Sequence, residues 1–192
     1  MPTRRGALSA SVIGKKIYVV GGATRKVFKF ANTPALEAYD PFKDSWEKLT
    51  SMPTPRDHLT TSTSNGNLYA IGGRINLSFH NNIDTNEVYN PKTNLWTRLT
   101  PLPTKRSGIT SQTLNKKILV FGGESSKGTF SKNESYDPNT DTWETLLPMP
   151  SGRHGLGSAN YKDSIHLFGG GPNPGGGGSN THSMFFYKKI YQ

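Results

Sequence analysis

Arg56-Asp57-His58 places a permanent cation, a carboxylate and an imidazole on consecutive residues. A carboxylate beside an imidazole is the pairing that general acid–base chemistry uses, because the carboxylate fixes the ring's tautomer and stabilises its charged form. The matching stretches elsewhere read Arg106-Ser107-Gly108 and Arg153-His154-Gly155. Only the arginine persists, which points to architecture for Arg56. Asp57 is peculiar to its place and His58 has no registered counterpart, so these two carry any function the stretch has. His80, His154, His166 and His182 show no His-x-x-x-His or comparable ligand spacing, and no metal site is expected. The chain has no cysteine, which removes disulfides and thiolate chemistry. "DPNTDTW" at 137–143 opens like a calcium loop but lacks the downstream Gly and Glu, and reads as a turn. The glycine-rich run 171–182 follows no βαβ pattern and lacks the Lys-Ser/Thr ending of a phosphate cradle, so it reads as a flexible connector. No cofactor is expected.

A second group of candidates sets aromatic rings beside basic or amide side chains. These are Arg25, Lys26, Phe28 and Phe30 in the segment 23–34, Arg74, Phe79, His80, Asn81 and Asn82 in 74–85, and Lys127, Phe130 and Lys132 in 124–133. Such a set can grip an acidic peptide or a sugar. It is equally the make-up of a solvated loop whose phenylalanines tuck onto the protein. The formal charge of +10 favours acidic partners. The cations are scattered, with no group denser than pairs such as Arg4-Arg5 or Lys116-Lys117, so a nucleic-acid surface is not expected. No apolar run approaches the roughly 18 residues of a membrane helix. No basic segment followed by an apolar one opens the chain, so no export signal is read. Asn76 and Asn133 begin Asn-x-Ser triplets of the glycosylation type.

What must position these residues is a repeat. Paired glycines close an apolar run four times, at Gly21-Gly22, Gly72-Gly73, Gly122-Gly123 and Gly169-Gly170, with steps of 51, 50 and 47 residues. Arg5, Arg56, Arg106 and Arg153 keep the same spacing, each preceded by Met-Pro or Leu-Pro. Tyr39/Trp46, Tyr89/Trp96 and Tyr136/Trp143 follow, seven residues apart. Each unit reads as four strands. The first is rich in small residues, the second is the apolar run into Gly-Gly, the third ends at Tyr and the fourth begins at Trp. Asp-Pro or Asn-Pro turns join the last two, and Asn65-Gly66 turns the first into the second. The units fall at about 1–50, 51–100, 101–147 and 148–192 within one domain spanning 1–192.

These motifs resemble Kelch repeats over nearly the whole chain. The resemblance implies an all-β, Kelch-type β-propeller with one four-stranded antiparallel blade per repeat. Small first strands fit the crowded channel, and apolar second strands fit sheets sandwiched between blades. Trp46, Trp96 and Trp143 are expected between adjacent blades. The arginines are expected as scaffold bonded to a neighbouring blade's carbonyls, with a ring of ligand-binding cations at the channel mouth as the alternative. The resemblance also implies a non-enzymatic module that binds a protein partner, acidic given the charge, through its loop face. A carbohydrate-binding or sugar-epimerising propeller of mutarotase type is the alternative, because that activity needs only acid–base groups at the channel. The copper radical oxidases need a tyrosine cross-linked to cysteine, and the specifier proteins a Glu-x-x-x-Asp-x-x-x-His motif; neither is present. A third reading is a propeller fragment with no ligand of its own.

The fourth unit has its Gly-Gly and an aromatic third strand around Phe185, but no Trp follows. Its blade is expected to lack an outer strand or to use the residues 189–192 as a stub. The chain is then a piece of a larger ring, a half that pairs with a second copy, or a propeller that closes on its own with four blades.

Overall fold

The computed structural model describes residues 1–26 and 29–186. Phe28, and the residues 189–192 that could form a stub strand, lie outside these. The fold is all-β. Blade 1 consists of Ser9–Ile13, Lys16–Val20, Leu36–Asp40 and Ser45–Leu49, hydrogen-bonded in that order. Blade 2 is Thr60–Ser64, Asn67–Ile71, Asn86–Asn90 and Leu95–Leu99; blade 3 is Thr110–Leu114, Lys117–Phe121, Asn133–Asp137 and Thr142–Leu146. Blade 4 has three strands among the described residues, Gly157–Tyr161, Ser164–Phe168 and His182–Phe186. Every pairing is antiparallel.

Because a strand shows alternate residues to opposite faces, the second strands of blades 2 and 3 each feed two interfaces. Tyr18 and Val20 face forward onto Leu68 and Ala70 of blade 2. Tyr69 and Ile71 face Ile118 and Val120 of blade 3, and Leu119 and Phe121 face Ile165 and Leu167 of blade 4. Three apolar clusters thus sit between successive blades. An aromatic pair crosses each one: Tyr18–Tyr89, Tyr69–Tyr136 and Phe121–Phe185, at 6.2, 6.0 and 5.8 Å.

The first strands touch in the order blade 1, 2, 3, 4, and those of blades 1 and 4 do not pack together among the described residues. The four blades form an arc. Among the described residues blade 4 does not close on blade 1: Phe168, Met184 and Phe186 on one end and Val12 and Ile17 on the other stay exposed. The first strands surround a cavity of about 430 Å³. Their small residues do more than fit a crowded channel. Hydroxyls and amides lace neighbouring blades: Ser9 and Ser11 to Thr61 at 2.8 and 2.9 Å, Ser62 to Ser111 at 2.7 Å, Thr110 to Ser158 at 2.6 Å.

The arginine side chains are buried and bond within their own blade, not to a neighbour's carbonyls as the sequence suggests. Arg56 donates to the carbonyls of Gly72 and Ala70 at 2.9 and 2.8 Å and to Glu87 at 2.6 Å. Arg106 repeats this on Gly122, Val120 and Glu134. Arg5 bonds Val19 and Glu37. Arg153 has Ser183 where the others have glutamate. It is the arginine carbonyl that reaches the neighbour, accepting from the second glycine of the preceding blade: Gly22 to Arg56, Gly73 to Arg106 and Gly123 to Arg153, at 2.9, 3.0 and 2.8 Å. Those glycines have positive φ, and a Cβ on Gly73 would lie 2.8 Å from the Asp57 carbonyl, so no other residue fits.

The tryptophans divide. Trp96 and Trp143 lie between blades as expected: each packs on an inter-blade cluster, and their indoles donate to the Thr50 and Thr100 carbonyls of the preceding blade at 2.8 and 2.9 Å. Trp46 does not lie between blades. Blade 1 has no preceding blade among the described residues to supply the carbonyl that Trp96 and Trp143 bond. Trp46 is half-buried, joins none of the three clusters, and packs on Tyr39 of its own blade with ring centroids 5.0 Å apart. Asn133 is fully buried, which closes that triplet to modification.

Candidate functional site

Just past each repeated arginine the backbone turns sharply. Ala7, His58, Gly108 and Gly155 all adopt a left-handed conformation, with φ of 52°, 51°, 64° and 62°. These four are register equivalents, so His58 has counterparts that its side chain conceals in the sequence. Each donates its N–H to the carbonyl of the one before: His58 to Ala7, Gly108 to His58, Gly155 to Gly108, at 3.0, 2.9 and 2.7 Å. The result is a backbone rim around the channel mouth.

The residue before each rim position forms an isolated antiparallel bridge with the residue just after Gly-Gly. The pairs are Gly6–Ala23, Asp57–Arg74, Ser107–Glu124 and His154–Gly171. Two positions per blade therefore project at the mouth. In blades 2 to 4 they supply Asp57, Arg74, Glu124 and His154.

These side chains form one network. Asp57 is fully buried and accepts from Asn32 Nδ2 and His58 Nδ1, both at 2.5 Å, and from Arg74 Nε at 2.9 Å. Arg74 reaches on to Glu124 Oε1 at 3.1 Å. Glu124 accepts from the Gly175 N–H at 2.6 Å, has His154 Nδ1 at 3.6 Å, and takes the Asn82 amide on its backbone oxygen at 2.5 Å. Burial alone pushes the Asp57 carboxyl up, but the bonds from His58, Asn32 and Arg74 outweigh it and hold the pKa below the ordinary value.

The partners fix the His58 tautomer. Nδ1 faces a carboxylate and is the donor, so in the neutral ring Nε2 accepts, and it lies 3.2 Å from Arg74 Nη2. The lone pair a general base would use is therefore already engaged. The carboxylates are buried, whereas the His58 ring keeps 35% of its surface and Arg74 and His154 keep 12% and 15%. What the mouth offers a visitor is the Arg74 guanidinium and the edges of two imidazoles, with the carboxylates withdrawn beneath them.

Beside the mouth, the connection after Gly22 rises as a hairpin, Ala23–Lys26 with Lys29–Asn32. Between it and blade 2 lies a groove of about 550 Å³ lined by Lys29, Phe30, Ala31, Asn32, Pro55, Ile75 and Asn76. Phe30 is 61% exposed and sits opposite Arg25 across the hairpin. Asn32 joins groove and network, accepting the Asn76 N–H at 2.8 Å while donating to Asp57.

Of the residues singled out in the sequence, Asp57, His58 and Arg74 come together, Asn82 joins them through Glu124, and Phe30 lines the groove. Arg25 stands exposed on the hairpin. Phe79 is half-buried and stacks on the exposed His80 at 4.8 Å. Lys127 is exposed in the turn joining Glu124–Ser125 to Gly128–Thr129, and Phe130 is half-buried. None of Arg25, His80, Lys127 and Phe130 hydrogen-bonds to the Asp57 group among the described residues. Sequence reasoning passed over Glu124, Asn32 and the role of His154. The signal for two of them was present: Glu124 follows a Gly-Gly and His154 follows a repeated arginine. No three His, Cys, Asp or Glu side chains among the described residues are placed to hold a metal ion.

A family model described as the Kelch motif matches residues 55–103 and 105–150. Kelch-like ECH-associated protein 1A of Danio rerio is 42% identical over 69 residues, 36% of this chain and 10% of that protein. Kelch-like protein 40 of Xenopus laevis is 38% identical over 73 residues, 38% of this chain and 11% of that protein. An F-box/kelch-repeat protein of Arabidopsis thaliana is 30% identical over 81 residues, 42% of this chain and 21% of that protein. The matches thus span about a tenth to a fifth of these relatives. The solved structure of YjhT is similar with a TM-score of 0.76 and 23% identity, over 91% of this chain and 61% of that one, a likeness of fold.

Proposed function

The chain is a Kelch-repeat β-propeller protein, and from that premise we propose that it is a non-enzymatic binding module whose loop face holds an acidic segment of a partner protein. The groove between the hairpin and blade 2 carries the proposal. It combines an exposed ring, Phe30, and apolar walls, Pro55 and Ile75, with the cation Lys29 in its lining and Arg25 across the hairpin. An apolar side chain of the partner fills the groove while a neighbouring carboxylate meets the cations. The rim extends the same surface with the N–H groups of Arg74 and the imidazoles of His58 and His154. Binding rather than turnover suits the mouth, since both carboxylates are buried and bonded and the His58 lone pair is engaged.

Selection of a displayed random-peptide library on the immobilised chain tests this. The expected consensus holds Asp or Glu beside one large apolar residue, and Phe30→Ala or Lys29→Glu weakens the selected peptides at least about tenfold, the equivalent of ~1.4 kcal/mol. A selection without acidic residues, or binding untouched by both substitutions, overturns the reading.

A second reading draws on the mouth itself. The Arg74 guanidinium and the imidazole edges above a channel lined by Ser9, Ser11, Thr61, Thr63 and Gln112 suit a carbohydrate. A glycan array gives a sugar-specific signal in that case and stays blank for a protein-binding module.

A further inference from the structure

The two ends of the arc are the two halves of one joint. At every internal joint, the forward face of a blade meets the rear face of the next, by the same register positions. The forward positions are Tyr18 and Val20, Tyr69 and Ile71, Leu119 and Phe121; their equivalents in blade 4 are His166 and Phe168. The rear positions are Leu68 and Ala70, Ile118 and Val120, Ile165 and Leu167; their equivalents in blade 1 are Ile17 and Val19. Among the described residues blade 4 presents its forward face uncovered, with Phe168, Met184 and Phe186 at 48%, 54% and 59% exposure. Blade 1 presents its rear face with Val12 at 58% and Ile17 at 36%. Exposed apolar area of this extent on matching sheet faces is the hallmark of an unfilled interface.

We propose that a second copy of this chain docks head to tail, the rear face of its blade 1 on the forward face of blade 4. The occupant follows from continuity with the three joints already formed. Each internal joint carries two backbone bonds as well as its apolar contacts. One runs from the second glycine to the next blade's arginine carbonyl, and the next pair in that series is the Gly170 N–H with the incoming Arg5 carbonyl. The other runs along the rim, where the next pair is the incoming Ala7 N–H with the Gly155 carbonyl. Tyr39 takes the place that Tyr89, Tyr136 and Phe185 hold in the aromatic pairs, and Phe168 or His166 faces it. A second copy therefore brings a face that is built for this role by its own repeat. The joint is heterologous, so copies either close in a ring or continue as an open series. This proposal stands apart from the loop-face reading, since Ile17, Phe168, Met184 and Phe186 line neither the groove nor the mouth.

Size-exclusion chromatography with light scattering tests it, on the full wild-type chain and on two variants. The wild type is expected to run above monomer mass, increasing with concentration. Phe168→Asp alone and Ile17→Asp alone each give monomer. An equimolar mixture of the two variants restores dimer, because one supplies an intact rear face and the other an intact forward face. Both positions are partly exposed, and thermal melts establish that each variant is folded. If either variant is unfolded, Met184→Asp and Val12→Asp replace the pair. A wild type that is monomeric up to about 100 μM overturns the proposal, since standard specific association lies well below that concentration. So does assembly that survives Ile17→Asp, which signals forward-to-forward pairing, and so does a mixture that stays monomeric.

Discussion

Asp57→Asn turns one carboxylate oxygen into an NH2 group in the channel mouth and leaves the volume unchanged. Three donors converge on that carboxylate, from Asn32, His58 and Arg74. The asparagine oxygen can keep two of them, but its NH2 then meets a third donor. Asn32 cannot turn its own oxygen inward without releasing the Asn76 N–H it holds. Arg74 also loses one of its two counter-charges. Hydrogen bonds to charged groups contribute about 1.5–3 kcal/mol each. With one bond lost and one weakened, the expected cost is about 3 kcal/mol, against a total stability on the order of 5–15 kcal/mol. For a chain of this size that lowers Tm by about 6–12 °C. The pH dependence is specific to the mechanism. The folded-state pKa of Asp57 lies below its ordinary value of 3.8. Its stabilisation is therefore complete above the unfolded value and is lost as pH falls through the lower, folded one. Urea unfolding followed by tryptophan fluorescence should show the full gap between wild type and variant at neutral pH. The gap should close on going below about pH 4. A gap under about 1 kcal/mol at neutral pH, or one that persists unchanged in acid, refutes the account of Asp57 as the ionised centre of the mouth.

Two further substitutions probe the scaffold. Arg56→Ala leaves the Glu87 charge buried and strips donors from the Gly72 and Ala70 carbonyls, at an expected cost of about 3–5 kcal/mol. Adding Glu87→Ala should recover about 0.5–3 kcal/mol of the summed loss in chemical denaturation, and strict additivity would show that the pair does not act as a unit. Gly123→Ala forces a Cβ to 2.6 Å from Ile109 and 2.8 Å from the Ser107 carbonyl at φ 107°. It should cost at least about 2 kcal/mol, whereas Gly157→Ala, with open space around it, stays within about 0.5 kcal/mol. Equal melting points for the two would sink the close-approach argument.

The repeat was readable because Gly-Gly, arginine, tyrosine and tryptophan each hold a position no other residue type fills as well. Glycine is forced by φ and by the next blade's backbone, and arginine by the number of donors it places in a buried corner. The partners of those residues were harder to read. The arginine's bonds run to its own blade because the antiparallel return of the second strand brings Gly72 and Ala70 beside Arg56, a distance the linear order does not express. Trp46 carries the same letter as Trp96 and Trp143, yet the carbonyl those two bond belongs to another blade, and a motif does not say whether that blade is there. Asp57, Arg74, Glu124 and His154 share no residue type, so no pattern of letters joins them. What joins them is an offset, one past the arginine and one past Gly-Gly, that acquires meaning only when the bridge forms. Phe30 stood in the sequence among several aromatic residues with nothing to rank it, because only the return of the hairpin beside blade 2 sets it near Pro55 and Ile75.

The bridge between those two offsets has an evolutionary side. Blade 1 makes it with Gly6 and Ala23, blade 2 with Asp57 and Arg74, blade 3 with Ser107 and Glu124, blade 4 with His154 and Gly171. Blade 1 builds its sheet with neither side chain able to contribute an ion pair. The backbone bridge and the arginine below it are enough. Inheritance can therefore rewrite two residues in each blade while every bond that makes the blade is kept. Ion pairs such as Asp57–Arg74 are additions on top of that foundation. Each further blade would bring a further pair of such positions, already aimed at the same opening, without any change to the sheets.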